Sequence, residues 1–140
     1  MWYITDVRIH LTSRFAQHGH RDVGKRYEPE LRFHQCGFAR TIRAGAPGAD
    51  LVLIETMSDT LELKAAVLAA KENCDLPVFT TMIMDEKGRL LTGADIETAV
   101  TMLEGLGVDA LGFNCSMGPD QMLPLVAQLR ELTCLPIIVN

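Results

Sequence analysis

From residue 48 to the last residue, short apolar runs alternate with stretches in which apolar positions recur every three or four residues. The runs are LVLIE (51–55), PVFTTM (77–82), DALGFN (109–114) and PIIVN (136–140), each of a length and continuity that suits a strand buried on both faces. Between the first two, Asp59 with Glu62 three residues later forms a capping box, and Leu61, Ala65 and Leu68 carry an apolar helical face to Asn73. Asp95 caps a second predicted helix, with Ile96, Val100, Leu103 and Leu106 inward and Gly107 as its stop. Gly118, Pro119 and Asp120 lead into a third, with Met122, Val126 and Leu129 inward. Proline is tolerated in a first helical turn and strains a helix middle, so Pro124 puts the predicted start near Asp120 or Gln121.

The strand starts at 51, 77, 109 and 136 are 26, 32 and 27 residues apart, the length of one strand–helix unit. Two of the strands are approached through the same tripeptide, Gly-Ala-Asp at 48–50 and its variant Gly-Val-Asp at 107–109. The pattern predicts a parallel α/β protein. Such strands form either an open doubly wound sheet or a closed eightfold barrel. No G-x-G-x-x-G or G-x-x-x-x-G-K-[ST] loop occurs to favour the open sheet. A barrel takes about 250 residues. The expectation is therefore half of a TIM-type (β/α)8 barrel: four parallel strands, with two unpaired edges and one apolar sheet face left uncovered.

Residues 1–47 stand apart as an atypical, irregular N-terminal segment before the (β/α) region at 48–140. Trp2 to Leu11 alternates weakly and predicts a strand; Ser13 to Gln35 lacks periodicity and predicts loop or disorder; Phe38 and Ile42 restore helical character until Pro47. Charge divides in nearly the same place. Residues 1–43 hold eight Lys/Arg against four Asp/Glu and all four histidines, whereas the remainder holds five against fourteen. The net charge of −5 over 140 residues gives no basic footprint for nucleic acid. No run of about 18 apolar residues is present to span a bilayer, and Asp6 and Arg8 interrupt any signal-peptide core, so a cytoplasmic chain is expected. Cys36, Cys74, Cys115 and Cys134 have no two-residue spacing, which leaves each as a buried thiol, a metal ligand or a nucleophile. His18 and His20 make a weak metal signal that ranks below a solvated loop.

In parallel α/β folds chemistry gathers at the carboxyl ends of the strands. Those positions here are Glu55 and Thr56, Thr80 and Thr81, Asn114 and Cys115, and Asn140, all of them polar. Such a rim suits a small zwitterion, with Glu55 taking the ammonium group and amide donors the carboxylate. Each also has a plainer reading: Glu55 as a loop cap, Asn114 as an Asx turn, Cys115 as a small buried hydrophobe.

The stretch GADLVLIETMSDTLELKAAVLAAKENCDLPVF, then DEKGRLLTGAD, then LEGLGVDALGFNCSMGPDQMLPLV resembles the homocysteine S-methyltransferase domain family, in particular the homocysteine-binding module of cobalamin-dependent methionine synthase. The I-E-T strand end and the G-x-N-C-S-x-G-P turn are the most specific elements. The resemblance implies methyl transfer to the sulfur of homocysteine, giving methionine, with a zinc ion held by three cysteine thiolates that lowers the pKa of that sulfur. It implies Cys115 as one zinc ligand, and Glu55, Asn114 and Thr80 as residues that contact homocysteine. It further implies a methyl donor that is either methylcobalamin on another module or a small methylated compound. The family's other two zinc cysteines form an adjacent pair in a G-C-C-G turn, and its opening D-G-[AG]-x-G-[ST] loop has no counterpart in residues 1–37. The expectation is therefore a chain that is not competent alone. The alternative is a non-catalytic interaction module that pairs its half-barrel face with itself or with a complementary chain.

Overall fold

The structure, a computed structural model, describes residues 35–40, 42–43, 46, 49–115 and 117–140. The expected strand at 2–11, most of the expected loop at 13–35, and the His18/His20 pair lie outside the described residues. Residues 35–40 and 42–43 are helical, in keeping with the character read from Phe38 and Ile42, both of which are buried.

Four strands follow, β1 (Val52–Met57), β2 (Val78–Met82), β3 (Ala110–Phe113) and β4 (Ile137–Val139), joined by α1 (Thr60–Asn73), α2 (Ile96–Gly105) and α3 (Pro119–Leu132). All pairings are parallel and the order across the sheet is β1-β2-β3-β4. Chain order and sheet order coincide. A doubly wound sheet reverses direction at a switch point, and these four strands contain none. Right-handed crossovers taken always in one direction set every helix on the same sheet face.

The alternation of side chains along the strands agrees. Val52 and Ile54 are in register with Val78 and Thr80, and Thr80 and Met82 with Leu111 and Phe113; every one of these residues is at most 1 % exposed. This face meets the helices, whose buried residues include Leu63, Ala66, Val67, Ala99, Leu103, Met122 and Leu129. On the opposite face Leu53, Glu55, Phe79 and Ile138 are only half-buried.

Local signals act where the sequence placed them. Asp59 accepts from the Glu62 N–H at 2.8 Å and Asp95 from the Thr98 N–H at 3.0 Å, which starts α1 and α2 by satisfying free backbone donors. Gly107 takes φ +73 just past α2, and its N–H reaches the Glu104 carbonyl. One boundary differs from expectation. Helix α3 begins at Pro119, so Pro124 lies inside it. The missing N–H there forfeits only a bond to the first turn, and the Gln121 Oε1 accepts from the Gly118 N–H at 3.2 Å to hold that turn from its other end.

At the amino-terminal edge of the sheet one carboxylate ties three elements together. Asp109 Oδ2 accepts from the Val78 N–H at 2.8 Å and from Lys71 Nζ at 3.0 Å. Its pKa is lowered chiefly by the Val78 N–H, with Lys71 adding to the effect against a desolvation cost. The structural ties thus lie at one edge of the sheet, and the polar strand ends at the other.

Candidate functional site

The carboxyl ends of the strands are brought together by an irregularity in β1. Its register with β2 runs Ile54 to Thr80 and then jumps to Met57 with Met82, so Glu55 and Thr56 stand opposite Thr81 alone. This is a bulge, which bends a strand and re-aims its side chains. Thr56 adopts φ +66 there, a left-handed conformation that is rare for a β-branched residue.

From this position Thr56 meets the end of β3. Its N–H donates to Asn114 Oδ1 at 3.1 Å and, more distantly, to Thr81 Oγ1 at 3.4 Å. Asn114 Nδ2 donates in return to Thr56 Oγ1 at 2.6 Å and reaches Cys115 Sγ at 3.5 Å. The Asn114 side chain therefore spans from β3 to β1 across the end of β2, and it is 2 % exposed. Cys115 follows with φ +52 and an exposed thiol, and its N–H donates to the Asn140 carbonyl at 3.3 Å. Asn140 N–H donates to the Phe113 carbonyl at 3.2 Å, which adds the end of β4 to the same rim.

Glu55 is half-buried, next to Thr56 in the bulge, and its carboxylate has no hydrogen-bond or ionic partner among the described residues. Among the described residues it caps no loop. The Asn114 amide reaches another strand, and Cys115 is exposed rather than a buried hydrophobe.

Thr80 is not brought to this rim. It shares the helix-covered face with Ile54 and Leu111, is 0 % exposed, and its Oγ1 is buried without a hydrogen-bond partner. Thr81, one residue on and so on the other face, stands beside Thr56. The residue the motifs singled out and the one the geometry uses differ by a single position, which in a strand means opposite faces. Neither Thr56 nor Thr81 stood out beyond its location at a strand end. The signal for Thr56 is a bulge, and a threonine in place of the usual glycine conceals it.

As to metal, no group of three or more His, Cys, Asp or Glu among the described residues could hold an ion. The rim offers one thiol, Cys115, whose sulfur already accepts from the Asn114 amide. A zinc site needs about four ligands, commonly several cysteines or histidines. The donors present here do not by themselves fit one. Among the described residues, no helix is long and apolar enough to cross a membrane.

Comparison with known proteins bears on this arrangement. The sequence model of the homocysteine S-methyltransferase family matches residues 12–140. Methionine synthase of Mycobacterium tuberculosis is 38 % identical over 97 residues, which is 66 % of this chain and 8 % of that protein. Methionine synthase of Mycobacterium leprae is likewise 38 % identical over 97 residues, with the same coverage. The chain thus spans 8 % of the length of these curated relatives. Among solved structures, the apo form of the homocysteine methyltransferase MmuM from Escherichia coli superposes with a TM-score of 0.71 at 25 % identity, covering 79 % of this chain and 42 % of that one.

Proposed function

The chain belongs to the homocysteine S-methyltransferase family, and from that premise we propose that its rim is the homocysteine-binding side of a methyl-transfer site built on part of a (β/α)8 barrel wall. The observation that carries this reading is the convergence of Glu55, Thr56, Thr81, Asn114 and Cys115 at the carboxyl ends of three adjacent parallel strands, with the Glu55 carboxylate left unpaired among the described residues. A half-buried carboxylate without a partner is an acceptor in wait of a cation. Glu55 receives the ammonium of homocysteine, Thr81 rather than Thr80 lines the same face, and Asn114 with Cys115 meets the sulfur end.

In this family zinc supplies a lowered sulfur pKa so that a thiolate attacks the methyl donor. Cys115 would contribute one thiolate to such an ion, and the other donors among the described residues do not complete a site. The methyl donor in this reading is methylcobalamin carried on another module, or a small methylated compound. Homocysteine binding is testable without turnover. Titration calorimetry with L-homocysteine is expected to show saturable binding that weakens at least about tenfold in Glu55→Gln, the loss of one charge-assisted hydrogen bond. An absence of binding by the unmodified chain, or equal binding by the variant, would overturn the assignment.

A second reading has its own observation. The half-buried apolar side chains Leu53, Phe79 and Ile138 on the sheet face away from the helices suit an interaction module that covers this face with a second copy or with a complementary chain.

A further inference from the structure

The homocysteine reading leaves unexplained why a threonine occupies a left-handed backbone position between Glu55 and the rest of β1. Resting on that reading, we propose that Thr56 is a positioning residue: it clasps the Asn114 carboxamide in one orientation, and so fixes the Cys115 end of the rim relative to Glu55.

A backbone N–H only donates, so the Thr56 N–H at 3.1 Å requires the oxygen of the Asn114 amide, not its nitrogen, to face β1. With the oxygen held, the nitrogen is placed to donate both to Thr56 Oγ1 at 2.6 Å and to Cys115 Sγ at 3.5 Å. Turning the amide over would set two donors against each other at Thr56 and remove the donor from the sulfur. A residue 58 positions away in sequence thus holds Asn114 in the orientation that faces the thiol.

The backbone supports the same conclusion. A β-branched residue at φ +66 is held against its own preference, at a cost that glycine would not incur. Glycine keeps the N–H and loses the hydroxyl. What the threonine adds to this turn is Oγ1, the acceptor of the 2.6 Å hydrogen bond from Asn114. Because Glu55 is the neighbouring residue in the same bulge, the clasp ties the carboxylate on β1 to the thiol just past β3. An amino thiol of homocysteine's size has its ammonium at one of these and its sulfur at the other, so the clasp sets the span that the ligand must match.

The test uses the intact chain, labelled with ¹⁵N. The side-chain amide of Asn114 is expected to give two resonances displaced from those of free carboxamides. Thr56→Val, which keeps the shape and removes the hydroxyl, should return them to the free position, and Thr56→Ser should restore the displacement. In parallel, Asn114→Ala should speed exchange of the Thr56 backbone amide at least about tenfold, a readout that leaves β1 unaltered and decides the question where Thr56→Val does not fold. Homocysteine affinity should fall about fivefold in Thr56→Val, as expected for one neutral hydrogen bond, and return in Thr56→Ser. Displaced resonances that persist in Thr56→Val, or that Thr56→Ser fails to restore, would overturn the proposal, as would an unchanged Thr56 exchange rate. If the unmodified chain binds no homocysteine, the functional reading fails, while the resonances still decide the clasp.

Discussion

At the scale of single residues, the rim depends on backbone positions that admit few side chains. Gly112 illustrates this most sharply: a Cβ built there would stand 1.8 Å from the Ile138 carbonyl oxygen, against the backbone of β4 rather than a flexible side chain. Gly112→Ala is therefore expected to cost about 1–3 kcal/mol of stability, as for overpacked sites, by forcing β3 and β4 apart. The check is the denaturant midpoint together with amide exchange at 137–139, which should lose protection first; an unchanged midpoint would mean that the two strands do not approach so closely. The displacement would also pull Asn140 from the Cys115 N–H. This glycine is visible in the G-F-N-C-S run, but its reason is not, because the approach of β4 is a tertiary fact. The same limit explains the threonines. Glu55, Asn114 and Cys115 were legible as strand-end polar residues within distinctive motifs. Whether Thr80 or Thr81 faces the rim depends on register, and a bulge between Ile54 and Met57 adjusts that register without leaving a mark in composition.

Among elements, the strand–helix alternation, the two aspartate caps and the stop at Gly107 were all readable, since each rests on contacts within a few residues. Long-range ties were not. Asp109 is an ordinary strand-start aspartate in sequence, yet it joins the starts of β2 and β3 to the last turn of α1 through Val78 and Lys71. Its depressed pKa gives this tie a pH signature. A carboxylate whose folded pKa lies below its unfolded value stabilises the fold above about 3.8, the ordinary value, and that contribution is lost as pH falls through the lower folded value. The ion pair itself is exposed and screened, so most of the effect belongs to the backbone hydrogen bond. Asp109→Ala is expected to lower stability by about 1 kcal/mol at neutral pH. Thermal melts of the two proteins should converge as the solution is acidified below the aspartate range; a difference that stays constant down to low pH would show that the carboxylate's charge is not involved.

For the whole molecule, the decisive feature is the asymmetry of the sheet. One face is sealed by three helices, and the other carries the half-buried Leu53, Phe79 and Ile138 below a polar rim. Sequential parallel order, with every helix on one side, curves a sheet toward closure and makes its concave face an interior. In the E. coli homocysteine methyltransferase, of which the matched region is 42 %, further chain is present beyond the part that superposes. An apolar face of this kind in contact with water favours association, since each buried large side chain contributes about 1.5–3 kcal/mol. Sedimentation velocity on the chain is expected to show a coefficient that rises with concentration through the micromolar range. Phe79→Ser should reduce that rise while leaving the far-ultraviolet circular dichroism unchanged, because Phe79 lies on the face away from the helices. A monodisperse monomer across the range, with a cooperative melt, would instead mean that this face is satisfied within one chain, and the interaction-module reading would fall while the rim assignment stood.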